Sequence, residues 1–307
     1  MALLTGCAPR SRPTATPADA PRARVGRHAS PNPGSVNTMW LFAPKGLIVV
    51  DSGRNVTGGQ RAAAALRNAG RPVLAILITH PHPDHIGGLG VLNKAFPRTP
   101  IYASKATTNW MRTNPLGFYQ LARRADPDFP ARLTFPDHML EAGETLELGG
   151  ARLETAEFGP GESATATAYY EPTTRALFAG DIVSNHYTPA LLEGHTCGWL
   201  GNLDLLAKRF PHARTIYPGH GGPADAKALI ARQRAYLERV RELVQPAVGK
   251  HSADGGEINS TEQASIIAEL DQEYPGYPRV ASLPTLKQAN VRALGREMGV
   301  NGRARCP

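Results

Sequence analysis

Residues 79 to 88 read Thr-His-Pro-His-Pro-Asp-His-Ile-Gly-Gly, directly after the apolar run Val73-Leu74-Ala75-Ile76-Leu77-Ile78. That run has the length of a strand buried on both faces. Gly87 and Gly88 open a Leu-rich stretch that reads as a helix. The loop between them therefore lies at the C-terminal end of a buried strand, where open α/β sheets bind their ligands. Within six positions it carries His80, His82, Asp84 and His85. Imidazole nitrogens and carboxylate oxygens are the usual ligands of catalytic zinc. His80 and His82, two apart on an extended segment, point the same way and can hold one metal. Asp84 and His85 come after the chain has turned and can face a second. Pro81 and Pro83 stiffen the loop, so less entropy is lost when metal binds. A polar loop with histidines scattered by chance is the competing reading, and four ligand-type residues at this spacing argue against it.

The His-x-His-x-Asp-His pattern followed by Gly-Gly resembles the metallo-β-lactamase-fold superfamily of metallohydrolases. The resemblance covers roughly residues 35 to 245. It implies an αββα four-layer sandwich of two mixed β-sheets flanked by helices, with a binuclear metal site at one edge. In that family the later ligands come from a Gly-Pro-Gly-His-type turn, an Asp in a Gly-Asp pair after a strand, and a final His in a Pro-Gly-His turn. This chain offers Gly159-Pro160-Gly161-Glu162, then Gly180-Asp181, then Pro218-Gly219-His220, in the same order. Upstream, Asn37–Phe42 and Gly46–Asp51 read as two hairpin strands, and in the family the second such strand ends in an Asp near the site, which Asp51 matches. By this resemblance His80, His82 and Glu162 hold one metal, Asp84, His85 and His220 the other, and Asp181 bridges them.

Glu162 stands where most members of the family have His. Three readings follow: Glu162 is a ligand beside His80 and His82, the site is damaged and holds one metal, or Glu162 is a turn residue and another His replaces it. The first is favoured because Glu is itself a competent zinc ligand. The branch of the superfamily that hydrolyses alkyl sulfate esters also resembles this chain in placing a Glu in a Pro-Gly-x-Glu turn, although its members are longer. An anion in place of a neutral imidazole weakens the Lewis acidity of the metal pair and shifts preference toward oxygen-loving metals such as Mn or Fe.

The chain has 307 residues, 41% hydrophobic and 20% charged, and can bury an ample core. Of its net charge of +8, half sits in the first 30 residues, where five arginines face one aspartate. A basic face for nucleic acid is not indicated. No stretch is long and apolar enough to span a membrane. Leu4-Thr5-Gly6-Cys7 resembles a bacterial lipoprotein box with Cys7 as a lipid anchor, but only Met1-Ala2-Leu3 precede it. The expected location is extracytoplasmic, lipid-anchored or secreted, if the start is truncated, and cytoplasmic otherwise. Residues 8 to 34 are rich in Pro, Ala, Arg and Ser and read as a disordered linker. The three cysteines, Cys7, Cys197 and Cys306, are too few and too far apart to indicate a disulfide framework, and Cys197 reads as a small apolar filler.

The domain reading is a head and linker over 1–34, a catalytic domain over 35–248 and a helical extension over 249–307. Residues 104–125 look helical in two pieces, 145–148, 152–157, 166–170 and 176–179 read as strands, and 224–243 is a long amphipathic helix. Residues 249–260 read as a linker before helices near 261–272 and 285–298, which cap the pocket or mediate a homodimer. The loop from Ile182 to Trp199 is the expected pocket wall, with His186, Tyr187 and His195 as candidate substrate contacts. The expected function is a metal-dependent hydrolase of a small-molecule substrate with two zinc ions per chain, iron or manganese being the alternatives. A metal-bridging hydroxide, oriented by Asp84, would attack an ester, thioester, lactone or amide-type bond. The rival functions are an alkyl-sulfatase-type sulfate ester hydrolase and an iron-dependent redox enzyme on the same fold.

Overall fold

A computed structural model of the chain describes residues 24–30, 35–250, 257–280, 283–300 and Cys306. Two six-stranded sheets lie face to face. The first runs β1(Val25–Ala29), β2(Asn37–Ala43), β3(Gly46–Val50), β4(Val73–Leu77), β5(Ile101–Ser104), β6(His138–Leu140) in sequence order. Its first three strands are antiparallel and the rest parallel. The second runs β12(Ala224–Asp225), β11(Thr215–Pro218), β10(Ala176–Gly180), β9(Ala166–Glu171), β8(Ala151–Phe158), β7(Thr145–Leu148). Here β10 and β11 are parallel and the other pairs antiparallel.

The apolar run at 73–78 becomes β4, inside the first sheet and covered on both faces, which is why its residues do not alternate with polar ones. Met39, Ile48 and Leu77 pack between the sheets against Leu153, Tyr169 and Phe178. On the outer face of the first sheet, Leu47, Ile76 and Ile101 meet α1(Val56–Asn68), α3(Leu89–Ala95), α4(Lys105–Thr113) and α5(Phe118–Ala125). On the outer face of the second, Phe158, Leu177 and Ile216 meet α6(Thr196–Arg209) and α7(Ala226–Lys250). The architecture is αββα, as the resemblance implies. Each fully buried Leu or Phe in these layers contributes about 1.5–3 kcal/mol. Asn55 starts α1 by accepting from the Gly58 amide, and Ser104 starts α4 by accepting from the Thr107 amide.

Four expectations need correction. The linker reading of 8–34 does not hold for Val25–Ala29, which pairs with β2 as an edge strand, flanked by the Arg24 guanidinium 4.1 Å over the Phe42 ring. Its five residues are hidden in an arginine- and proline-rich composition. Cys197 is not an apolar filler: it is joined to Cys306 by a disulfide. The partners lie 109 residues apart, and only the packing of α7, α8(Ser260–Glu273) and α9(Leu286–Val300) brings the C-terminal end back to the start of α6. His186 and His195 do not line the pocket, as described below. The supposed linker at 249–260 is shorter than expected, since α7 runs to Lys250 and Asn259 already caps α8; residues 251–256, like Cys7, lie outside the described residues.

The C-terminal helices have no separate core. Ile266, Leu270, Val291 and Leu294 join Trp199 and Leu237 in one apolar cluster. A buried ion pair between Arg241 and Glu297, 3.4 Å apart, ties α9 to α7, and Glu297 also accepts from the Thr196 amide at the start of α6. Among the described residues no helix is long and apolar enough to cross a membrane.

Candidate metal centre

Strand ends from both sheets meet at one edge. After β3 comes Asp51, after β4 come Thr79, His80 and His82, and the chain then turns into α2(Pro83–Ile86), which carries Asp84 and His85. From the second sheet, β8 leads to Glu162, β10 to Asp181 and β11 to His220. The sheets are sewn together here by Thr167 N donating to Thr79 O (2.7 Å) and Asn37 N donating to Gly219 O (2.7 Å). Gly88 follows the motif because the loop at 51–54 passes directly against it: a Cβ on Gly88 would lie 2.1 Å from the Ser52 carbonyl oxygen.

All seven expected ligand residues converge. His82 Nδ1 lies 3.0 Å and His80 Nε2 3.5 Å from the two Glu162 oxygens. On the other side, His220 Nε2 lies 3.2 Å from both Asp84 Oδ2 and Asp181 Oδ2, and Asp181 Oδ1 lies 3.4 Å from His85 Nε2. Three potential ligand sets result: His80, His82, Glu162; His80, His85, Asp181; and Asp84, His85, His220, with the donor atoms of each within 4.8 Å of one another.

These residues fit a metal better than they fit one another. His80 Nε2, His85 Nε2, His220 Nε2 and Asp181 Oδ1 are buried and hydrogen-bonded to nothing among the described residues. Four such groups in one place would be costly in an ordinary polar cluster. The second ring nitrogens of His80, His82 and His85 are spoken for, whereas His220 Nδ1 has no hydrogen-bond partner among the described residues. Thr79 Oγ1 donates to Asp51, so it accepts from His80 Nδ1 at 2.9 Å, which leaves the His80 Nε2 lone pair bare. Asp51 Oδ2 accepts from His85 Nδ1 at 2.8 Å, and Glu193 Oε1 accepts from His82 Nε2 at 2.9 Å. Carboxylates behind ligating imidazoles fix their tautomer and orientation.

The family model described as "Metallo-beta-lactamase superfamily" matches residues 31–220. The chain belongs to the metallo-beta-lactamase superfamily. It is 26% identical over 196 residues to a probable metallo-hydrolase of Bacillus subtilis, covering 63% of this chain and 88% of that one. It is 30% identical over 155 residues to a hydroxyacylglutathione hydrolase of a Synechococcus strain, spanning 50% of this chain and only 52% of that relative. A solved metallo-beta-lactamase family protein from Thermus thermophilus superposes with a TM-score of 0.64 at 22% identity, over 91% of this chain and 94% of that one. A B3 metallo-beta-lactamase, BLEG-1, superposes at 0.57 and 22% identity, over 68% and 98%. The chain is thus a metallo-beta-lactamase-like hydrolase; the two structures share its fold.

In this superfamily member the charges within the cluster are tightly balanced. Burial, and the imidazoles of His85 and His82 close by, hold His80 neutral with a pKa well below the usual value. Burial also disfavours the charged forms of His82 and His85, but Glu162 and Glu193 outweigh it at the first, and Asp181 and Asp51 at the second, so both pKa values rise. Against the same burial penalty, Asp181 and Asp84 raise His220 to about 9. Glu162 is pushed up to about 7 by burial, with His82 opposing. Asp84 and Asp181 go the other way: burial would raise them, but neighbouring imidazoles keep both ionised far below the ordinary range.

A metal must therefore displace protons. In the metal-free chain the raised pKa of His220 stabilises the fold fully below its ordinary 6.5, and that contribution is lost as pH rises through about 9. Metal binding strengthens over the same window because the competing proton leaves. The increase in melting temperature on zinc loading should accordingly grow between pH 6.5 and about 9; a constant increment across that range would contradict the coupling.

Of the three candidate wall residues, only Tyr187 reaches the site, its ring stacked on His220 at 4.1 Å and 10°. His186 is exposed, with φ +51°, and packs its ring on Tyr277 at 5.5 Å. His195 is exposed just ahead of α6. Sequence reasoning missed Glu193 and the relay through Thr79. Glu193 carries no motif; its only signal is a carboxylate in the loop after Asp181. Above the candidate metal centre opens a cleft bounded by Phe118, Leu121, Phe129, Tyr187, Val280 and Leu283.

Proposed function

We propose that this chain is a binuclear zinc hydrolase that cleaves the acyl bond of an ester or thioester. The observation that carries the reading is the set of unpartnered donor atoms on His80, His85, Asp181 and His220, gathered under an open cleft with Asp84 at its floor. His80, His82 and Glu162 would hold one ion, Asp84, His85 and His220 the other, with Asp181 between them. Zinc bound there would supply Lewis acidity and activated water to the acyl carbon. Asp84, kept ionised by His220 and His85, can take up a proton at its carboxylate and pass it to the leaving group. Tyr187 shields one face of His220 from water. The hydroxyacylglutathione hydrolases among the relatives support an acyl substrate by their name. The Cys197–Cys306 disulfide supports a role in an oxidising, extracytoplasmic compartment.

The test is metal content by mass spectrometry on protein purified without added metal, followed by turnover of an ester and thioester panel. Two zincs per chain with turnover, abolished in His82→Ala, is the expected result. One ion or none after reconstitution, or full occupancy with no turnover, removes the reading.

Glu162 sets the metal preference in this proposal. Glu162→His should keep two ions bound while shifting competition between zinc and manganese toward zinc by roughly ten-fold, because a borderline-soft imidazole replaces a hard carboxylate. A variant that binds no metal at all would show that Glu162 is not interchangeable with the ligand most relatives use.

A further inference from the structure

The metal centre opens onto two chambers, not one. The first is the apolar cleft, with Phe118, Leu121, Ala122, Phe129, Leu192 and Leu283 in its walls. The second is richer in polar groups than the first and is bounded by His28, Ser35, Thr38 and Asn55. Arg54, Asp84, Ala125 and Val280 belong to both walls. Arg54 is the one permanent cation among the described residues lining the apolar chamber, and it is already paired, with its Nε 3.0 Å from Asp126 Oδ2. Away from the candidate ligands, that chamber therefore has no spare charge for an anionic acyl group. The second chamber differs by two polar side chains in its wall. Thr38 is 1% exposed, and its Oγ1 has no hydrogen-bond partner among the described residues. His28 Nε2, also buried, has none either. Two unpartnered polar atoms in the wall of a cavity are groups waiting for a polar ligand.

Resting on the hydrolase reading above, we infer that the substrate is bipartite: an apolar acyl chain lies in the Phe118–Phe129 chamber, and a hydroxyl- or amide-bearing leaving group lies in the chamber of Thr38 and His28, with the scissile bond over Asp84. Water adds across that bond: the acyl carbon gains an oxygen, the carbon–sulfur or carbon–oxygen bond breaks, and the departing thiol or alcohol takes the proton. Hydrolysis of an open-chain ester or thioester gives two pieces, one for each chamber, whereas a lactone opens to a single product. Thr38 and Leu121 are the specificity-determining residues, one for each arm.

The experiment uses zinc-reconstituted full-length protein and thioesters of butanoic and octanoic acid with 2-mercaptoethanol and with ethanethiol. Burying each added methylene at about 0.8 kcal/mol should raise kcat/KM roughly four-fold per CH2. The mercaptoethanol esters should exceed the ethanethiol esters by roughly ten-fold through one hydrogen bond to Thr38. Leu121→Asp, at a site already 39% exposed, should flatten the chain-length dependence and leave the hydroxyl preference. Thr38→Val should do the reverse without lowering the melting temperature, since its hydroxyl has no partner among the described residues. Binding of octanoate and butanoate by calorimetry supplies a readout apart from turnover. Turnover with flat chain-length and leaving-group dependence overturns the bipartite substrate and leaves the hydrolase intact. No turnover at full zinc occupancy, with octanoate still preferred and that preference lost in Leu121→Asp, overturns the hydrolase reading and leaves the acyl chamber. Equal binding of both acids overturns the acyl chamber.

Discussion

Asp181→Ala is expected to release metal from both positions and to lower turnover of any ester or thioester substrate by roughly 10³-fold or more. Its two oxygens serve different sides of the centre, Oδ1 at 3.4 Å from His85 Nε2 and Oδ2 at 3.2 Å from His220 Nε2. No neighbour can replace it, because Asp84 is already committed to His220 and Glu162 to His80 and His82. The metal-free protein should suffer as well. Asp181 is the leading carboxylate that raises the pKa of both His85 and His220. Without it, each buried imidazole keeps a single carboxylate, Asp51 for His85 and Asp84 for His220, so the loss should stay below the about 3–5 kcal/mol typical of a buried charge left unpaired. Some of that is recovered when the imidazoles give up their protons, so the loss should shrink as pH rises past about 9, the value for His220. Metal analysis together with melting curves at two pH values checks the claim. Two zincs retained per chain in Asp181→Ala would show that Asp181 is not shared between the positions.

The candidate ligands are readable in the sequence because most of them are local. His80, His82, Asp84 and His85 fall within one turn at the end of β4, where an unbroken apolar run marks the strand and two prolines mark the turn. Asp181 follows a strand and Gly180, and His220 follows a strand and lies between Gly219 and Gly221, so each announces a chain reversal at a sheet edge. What the sequence does not show depends on contacts made across the fold. Glu193 reaches His82 over 111 residues of chain. Cys197 meets Cys306 over 109. Within the irregular loop after β10 there is no period to say which side chains face inward, so nothing ranks His186 against Tyr187; the left-handed backbone at His186 turns it outward and leaves its neighbour against His220. Edge strand β1 is hidden for a related reason, since an edge strand that is only half covered needs no marked alternation of apolar residues.

A glycine that bears no catalytic group should matter almost as much as a ligand. A Cβ added at Gly219 would sit 2.0 Å from Asp181 Oδ1 and 2.7 Å from His85 Cε1, inside contact distance of both. The backbone cannot retreat to make room. Gly219 N donates to Gly180 O at 2.9 Å and Gly219 O accepts from Asn37 N at 2.7 Å, so the residue is pinned to both sheets. In Gly219→Ala the carboxylate must move instead, by about an ångström, and misplacement on that scale at a reacting centre costs about 10²-fold in rate. The fold should survive, at an overpacking cost of about 1–3 kcal/mol. Zinc affinity should fall with the rate, because the displaced oxygen is the one facing His85. Gly159→Ala is the matched control: it lies in the turn leading to Glu162, and nothing stands within 4 Å of its added Cβ, so activity and metal content should stay at wild-type levels. If Gly219→Ala kept both while losing only stability, the glycine would be needed for chain packing and not for the space in which the ligands converge.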